Sequence, residues 1–134
     1  MAGHRLGLRV RYAESDQMGY AHHGAYVIWL ESARIELMRA QGESYRALEA
    51  SGVLMPVVEC RVRYRRPLRF DDEVLLETQV VKSGPSSLTF TTRILLGETL
   101  CAEGEVTVAT VDAAGRPMRL PERVVRLLAA APAG

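Results

Sequence analysis

The stretch YAESDQMGYAHHGAYVIWLESAR, residues 12–34, changes its pattern near the middle. Its first half is a polar segment, whereas from Tyr26 onward apolar residues recur at spacings of three and four. These apolar positions, which continue beyond the quoted stretch, are Tyr26, Trp29, Leu30, Ala33, Leu37 and Met38. Such spacing places them on one stripe of an α-helix. The sequence therefore predicts a long amphipathic helix over residues 24–41, entered from a polar loop.

The flanking sequence alternates in the manner of β-strands. Residues 6–12 place Leu6, Leu8, Val10 and Tyr12 on one side of a half-buried strand. After the helix and a short helical piece ending near Gly52, four more strand-like runs follow: VVECRVRYRRPL, EVLLETQVVKS, SLTFTTRILLG and LCAEGEVTVATVD. Strands joined by tight turns run antiparallel, and their apolar face needs a cover. We therefore expect an α+β fold, an antiparallel five-stranded sheet wrapped around one central helix.

Smaller features refine this expectation. The length of 134 residues predicts a single domain, 1–134. Gly104 interrupts the last strand-like run and is interpreted as a possible β-bulge. The final run PERVVRLLAA, which begins at Pro121, predicts a short terminal helix before the tail APAG.

The composition argues against several classes of function. Seventeen Lys and Arg residues against sixteen Asp and Glu give a net charge of +1, so general binding to nucleic acid is not expected. No run approaches the roughly 18 apolar residues that a membrane helix requires, and the first residues lack a signal-peptide pattern. We therefore expect no membrane insertion and a cytoplasmic location.

Two adjacent histidines, His22 and His23, precede the predicted helix. They could be exposed, cap the helix or bind a metal ion, but no third ligand is apparent nearby. Cys60 and Cys101 form no CxxC or Cys/His ligand pattern. We therefore expect no metal and no other cofactor, and we interpret Cys60 as a small apolar filler within a strand.

Asp16 lies in the polar loop before the helix and has two interpretations. In the structural one, it forms a turn or caps a helix, as aspartate in a loop ordinarily does. In the chemical one, its carboxylate and the helix start face one reacting group. A helix start leaves about four N–H groups without intrahelical partners, so a carbonyl oxygen near His23 and Gly24 would be polarised. The residues alone leave both interpretations open.

Residues 12–34 resemble the signature segment of hotdog-fold acyl-CoA thioesterases of the 4-hydroxybenzoyl-CoA thioesterase type, which include short-chain enzymes associated with the bacterial Tol–Pal system. The family pattern is an aromatic residue, a Thr/Ser-Asp pair, a glycine three positions later, and His/Tyr-x-x-Tyr/Phe entering a helix with Glu-x-Ala-Arg. The matching positions here are Tyr12, Ser15-Asp16, Gly19, His23, Tyr26 and Glu31-Ser32-Ala33-Arg34. The stretch VRYRRPLRFDDEVLLET is also similar, so the resemblance covers roughly residues 8–112.

The resemblance implies a hotdog fold that hydrolyses acyl-CoA thioesters to a carboxylate and CoA. Asp16 matches the catalytic carboxylate, acting as general base or nucleophile, and His23 matches the position whose backbone amide polarises the thioester carbonyl. Tyr12 matches an aromatic residue implicated near the site. Gly24 and Tyr26, at the same helix start, are expected to bind substrate. The family also implies a homodimer or a dimer of dimers with active sites between subunits.

The phosphates of CoA would need cations, and the run RVRYRR, residues 61–66, offers four. Alternation puts Arg61, Arg63 and Arg65 on one face of the strand. That face could simply be solvated. The functional hypothesis is that Arg63, Arg65 and Arg66 contact phosphate, which suits the planar fork of arginine.

Two other functions are compatible with the same fold. A non-catalytic hotdog module would bind acyl-CoA as a sensor and would not need Asp16. The sequence shows no helix-turn-helix segment, which argues against a sensor. A hydratase or dehydratase would carry histidine-containing motifs that are not apparent in this sequence. Acyl-CoA hydrolysis is therefore the leading hypothesis, and the binding module is the alternative.

Overall fold

Residues 2–129 are described by the structure, a computed structural model, and they contain one five-stranded antiparallel sheet. In chain order the strands are β1 (Ala2–Arg9), β2 (Val57–Tyr64), β3 (Glu73–Gly84), β4 (Ser87–Leu96) and β5 (Thr99–Ala109). The helices are α1 (His23–Ala40), α2 (Tyr45–Ala50) and α3 (Glu122–Ala129). Neighbouring strands follow the order β1-β3-β4-β5-β2, so β1 and β2 form the two edges. The predicted order of elements is confirmed.

Helix α1 supplies the middle of the hydrophobic core. All six residues of the apolar stripe are buried, and they share one cluster with the inward side chains of β3, β4 and β5. The helix begins one residue before its predicted start and ends at Ala40. Gly42 follows with a φ of +84°, a left-handed conformation that suits glycine. An antiparallel sheet packed around a long helix is therefore the observed architecture.

Gly104 is not a bulge, contrary to the prediction. It pairs in regular register with Val62 on β2 and Thr92 on β4. A β-carbon at this position would lie 2.5 and 2.6 Å from the two methyl groups of Leu30 and 3.1 Å from its Cγ. The glycine therefore leaves room for the Leu30 side chain of helix α1, which occupies the space where a β-carbon would lie.

The first strand ends earlier than its alternation predicts. After Arg9 the chain continues through buried Val10 into a 3₁₀ turn over Tyr12–Glu14. Tyr12 is consequently 79% exposed and does not continue the inward side of the strand, so that placement is wrong. Its ring meets the ring of Phe70 edge-on, with 5.5 Å between centroids.

Strand β2 is an edge strand with little cover. Helix α1 packs mainly on β1 and β3, and every residue of β2 except Val62 is exposed. Cys60 is exposed too, so its interpretation as a core filler is wrong. The alternation of β2 is real, but only Val62 packs partly against the core, so the rest of the strand is left uncovered by the described residues.

The predicted terminal helix is present as α3, which ends at Ala129. Its predicted last residue, Ala130, and the tail 131–134 lie outside the described residues, as does Met1 of the predicted domain. Among the helices described, none has the length and apolar character needed to cross a membrane. The cytoplasmic location stays a prediction.

The packing of Leu30 over Gly104 can be tested with Gly104→Ala. The added methyl group must displace Leu30, which is 2% exposed and packed on its other sides by core residues. We expect the free energy of unfolding to fall by about 1–3 kcal/mol, measured by urea denaturation. Gly7→Ala on β1 is the matched control, because a β-carbon there meets no atom within 4 Å. Equal effects of the two substitutions would contradict the steric explanation.

Candidate active site

Asp16 opens a tight turn that ends at Tyr20. The backbone N–H groups of Met18 and Tyr20 donate to its Oδ1 at 2.9 and 3.1 Å. The N–H of Asp16 donates to the carbonyl of Tyr20 at 2.7 Å, and Gly19 closes the turn with a φ of +80°. Asp16 is thus a turn former, as the structural interpretation held. Its second carboxylate oxygen, Oδ2, has no hydrogen-bond donor within residues 2–129.

The same turn occurs a second time in the chain, at Asp112. There the N–H groups of Ala114 and Arg116 donate to Oδ1 at 2.9 and 3.0 Å, and Gly115 has a φ of +83°. Both turns follow the sequence Asp-x-x-Gly, so local sequence explains their shape fully. What distinguishes Asp16 from Asp112 is the surrounding structure.

Helix α1 begins beside the Asp16 turn without a capping side chain. The N-cap residue is His22, whose side chain accepts no N–H of the first turn. The N–H of His22 donates to the carbonyl of Glu14 at 2.9 Å, and that of Ala25 to the carbonyl of His22 at 3.0 Å. In the described part of the chain, the N–H groups of His23 and Gly24 have no acceptor. Two donors with the positive end of a helix behind them are left available.

The Asp16 turn and the helix start line one cavity of about 400 Å³. Its walls are formed by Asp16, Tyr20, Ala21, His22, His23, Tyr26, Tyr64, Arg65, Arg66 and Pro67. The structure therefore brings together Asp16, His23, Tyr26, Arg65 and Arg66 of the predicted site residues.

Three predicted site residues do not line this cavity. Tyr12 packs on Phe70 outside it. Gly24 does not line the cavity, and its missing side chain leaves room for the ring of His22, which would be 3.3 Å from a β-carbon there. Arg63 lines a separate recess that includes Glu103 and Glu105. Because Gly104 faces α1, alternation places these two glutamates on the outer face of the sheet.

The remaining arginines differ in their freedom. Arg65 donates twice to Oε2 of Glu103, at 2.7 and 3.0 Å, and is thereby held at the cavity rim. Arg66 is exposed and has no ion-pair or hydrogen-bond partner for its side chain in the region that the structure describes. It is the cation best placed to meet an incoming anion.

Tyr64 is a cavity residue that the sequence did not single out. Its hydroxyl donates to the carbonyl of His23 at 3.2 Å, and its ring meets Tyr26 edge-on at 4.9 Å between centroids. Burial raises the pKa of Tyr64, as does the nearby Cys60 thiol, so the hydroxyl stays protonated. Its position at the end of β2 gave no local signal, since the contact spans 41 residues of sequence.

Glu14 was also missed. Although it belongs to the polar loop, it is only 5% exposed. Burial raises the pKa of its carboxyl group, but hydrogen bonds from the Arg11 backbone, the Trp29 indole and the Arg11 guanidinium outweigh that effect and lower the pKa below its ordinary value. Glu14 is therefore ionised at neutral pH inside the fold. An acidic residue in a loop is ordinarily solvated, so no sequence pattern pointed to it.

The described residues hold no group of three or more His, Cys, Asp or Glu side chains arranged to bind a metal ion. A single-layer antiparallel sheet around one long helix is the architecture of the hotdog fold. The chain belongs to the thioesterase-like superfamily, whose profile matches residues 10–128. The predicted fold and the predicted class, a thioester hydrolase, are confirmed.

Individual relatives agree with this assignment. The chain is 37% identical over 123 residues to acyl-CoA thioester hydrolase YbgC of Escherichia coli O6:H1, covering 90% of this chain and 92% of that protein. A hypothetical protein from Thermus thermophilus, TT1821, superposes with a TM-score of 0.87 at 35% identity, covering 95% of both chains. The DHNA-CoA thioesterase of Staphylococcus aureus superposes with a TM-score of 0.84 at 28% identity, covering 90% of this chain and 82% of that one.

Proposed function

We propose that this thioesterase hydrolyses acyl-CoA thioesters at the cavity between the Asp16 turn and the start of α1. The printed function of the Escherichia coli relative, acyl-CoA thioester hydrolysis, supports the substrate class. The observation that carries the proposal is one cavity lined both by a carboxylate with a free oxygen and by His23, the first residue of a helix start that has two free N–H groups. These are the two requirements for attack on a thioester carbonyl.

The helix start supplies the electrostatic part of the reaction. When a nucleophile adds to the carbonyl carbon, negative charge develops on the carbonyl oxygen. The N–H groups of His23 and Gly24 would donate to that oxygen, and losing one such donor slows other enzymes by roughly 10²–10³-fold. The missing cap at His22 leaves these donors free for substrate.

Asp16 supplies the basic part through its free Oδ2. As general base it takes a proton from water, whose oxygen bonds to the carbonyl carbon before the C–S bond breaks and CoA leaves as a thiolate. As nucleophile it attacks the carbon itself, expels the thiolate and forms a mixed anhydride that water then hydrolyses. Both routes give the same carboxylate and CoA. In both routes, the hydrogen bonds that fix Oδ1 of Asp16 also orient its reacting oxygen, Oδ2.

Arg66 is the proposed contact for the CoA phosphates. It lines the cavity and is free of partners among the residues described, whereas Arg63 faces away and Arg65 is already held by Glu103. An exposed guanidinium at the rim would attract the phosphates before the acyl group enters the cavity. Of the three arginines predicted from the sequence to contact phosphate, only Arg66 is therefore proposed to do so.

We also propose that the enzyme works as a homodimer or a dimer of dimers. Strand β2 offers a free sheet edge that carries two exposed apolar residues, Val57 and Val58. Exposed apolar edges are normally covered, because unpaired strands associate with other chains. Tyr64, a cavity residue, ends the same strand, so a second subunit on β2 would lie beside the cavity.

Asp16→Asn tests the catalytic role with the turn preserved. The amide oxygen can still accept from Met18 and Tyr20, but the basic oxygen is lost. We expect kcat to fall by at least about 10²-fold, measured as free thiol released across a series of acyl-CoA chain lengths. Asp112→Asn makes the same change in the same turn and should alter kcat less than about twofold, since its exposed ion pair with Arg116 contributes little.

The binding-module alternative gives a different result in the same assay. Wild-type protein that binds acyl-CoA but releases no thiol would favour that module over an enzyme. Full activity in Asp16→Asn, together with an active wild type, would refute the proposed role of the carboxylate alone.

Arg66→Ala tests phosphate recognition. We expect KM for acyl-CoA to rise about tenfold, the loss of one charge-assisted hydrogen bond, with kcat nearly unchanged. The increase of KM with ionic strength should also become shallower than in the wild type. Arg63→Ala is the matched control from the same run, and its KM should stay at the wild-type value. An equal rise of KM in Arg63→Ala would instead favour the assignment made from sequence, in which Arg63, Arg65 and Arg66 all contact phosphate.

Val58→Lys tests the proposed subunit contact. Val58 is 62% exposed on β2, and a charge there should weaken association of the strand edges. We expect sedimentation velocity to give an oligomer for the wild type and a smaller species for the variant. Val125→Lys, at a 42% exposed position on α3, should leave the mass unchanged. A monomeric wild type at tens of micromolar would exclude the proposal.

A further inference from the structure

We propose that Glu14 is a positioning residue that holds the Asp16 turn and the start of α1 in one fixed arrangement. Glu14 does not line the cavity, and its carboxylate is buried. It therefore acts through its neighbours and not on substrate. The kinetic consequence of this inference rests on the proposed function, whereas its structural consequence does not.

The side chain of Glu14 attaches the loop to the body of the helix. Its Oε2 accepts from the indole Nε1 of Trp29 at 2.9 Å and from the Arg11 guanidinium at 3.2 Å. Its Oε1 accepts from the Arg11 backbone N–H at 2.8 Å. Trp29 is buried on the second turn of α1, and it belongs to the stripe that packs against the sheet. The loop is therefore anchored to a part of the helix that is buried in the core.

The backbone of Glu14 attaches the same residue to the N-cap. Its carbonyl accepts from the N–H of His22 at 2.9 Å. Ser15 and Ala21 then form an antiparallel bridge, inside which the Asp16 turn is closed. Residues 14–22 thus form a closed loop whose two ends meet at Glu14.

These attachments set the distance between the catalytic carboxylate and the helix donors. Without the Glu14 side chain, the buried indole N–H and the Arg11 N–H would lose their acceptor, and the loop would have to shift to satisfy them. A displacement of about 1 Å at a reacting group can cost about 10²-fold in rate. A positioning role therefore predicts a loss in kcat that exceeds any loss in binding.

The experiment compares Glu14→Ala, Glu14→Gln and Trp29→Phe by steady-state kinetics at a temperature where each variant is folded. We expect kcat to fall by about 10²-fold for Glu14→Ala and about tenfold for the other two, with KM within about threefold of wild type. Glu14→Gln is milder because one acceptor oxygen remains. Trp29→Phe keeps an apolar ring in the core and removes only the donor and part of the volume, so it serves where Glu14→Ala fails to fold.

Glu43→Ala is the control for a purely structural role. Glu43 is also a mostly buried glutamate in an ion pair, with Arg123 at 2.7 Å, but it does not line the cavity. Its removal should lower the unfolding midpoint while leaving kcat within about twofold, because an anchor remote from the site does not set reacting distances.

A second measurement does not depend on activity. Hydrogen exchange of peptides covering residues 12–26 should be faster in Glu14→Ala than in wild type, with exchange in β3 and β4 unchanged. Fluorescence of Trp29, the single tryptophan, should shift in both Glu14 variants as its hydrogen bond changes. Unchanged exchange in residues 12–26, or a folded Glu14→Ala and Trp29→Phe with wild-type kcat, would overturn the positioning role. A wild type that releases no thiol would overturn the proposed function instead, while the exchange result still decides the role of Glu14.

Discussion

The candidate site depends on how closely helix α1 lies against the sheet. Leu30 fills the space that a β-carbon at position 104 would occupy, so the glycine in β5 lets this side chain pack against the sheet. Because the buried stripe packs the helix into the core along its length, the same packing also holds the start of the helix in position. The free N–H groups of His23 and Gly24 are therefore held in place by packing that lies about two turns further along the helix. An uncapped helix start would be a local weakness in isolation, and the core compensates for it.

The fold was predictable where a single element buries one face. The helical stripe and the four later strands lie where periodicity placed them, since each pattern records one buried side. Which strands the helix covers was not predictable, because the order of strands in the sheet is set by long-range pairing. Cys60 alternates like a core residue but lies on an edge strand beyond the main cover of α1. In the sequence, Tyr12 continues the alternation of β1. In the structure, the chain enters a 3₁₀ turn at Tyr12, and a hydrogen bond from the Arg11 N–H to Glu14 holds that turn.

Only those site residues that lie within one local sequence motif were predictable. Asp16 and His23 are seven residues apart in one signature segment, and both line the same cavity. Tyr64 and Glu14 were not predicted, because their contacts are distant in sequence. Tyr64 contacts His23 across 41 residues, and Glu14 contacts Trp29 across 15. Within the arginine run, the sequence could not say which side chains were already paired. Pairing with acidic residues of a neighbouring strand depends on register, which a single strand does not encode.

Three acidic residues show why residue type alone does not define the chemistry proposed here. Glu14 has a fixed position, but both of its oxygens accept hydrogen bonds, so no basic oxygen is left for a substrate. Asp112 has the fixed geometry of the Asp-x-x-Gly turn, yet it does not line the cavity at the helix start. Asp16 combines the fixed turn, a free oxygen and neighbouring helix donors. A carboxylate needs all three, because the base must be held still, must remain available and must act where the developing charge is stabilised.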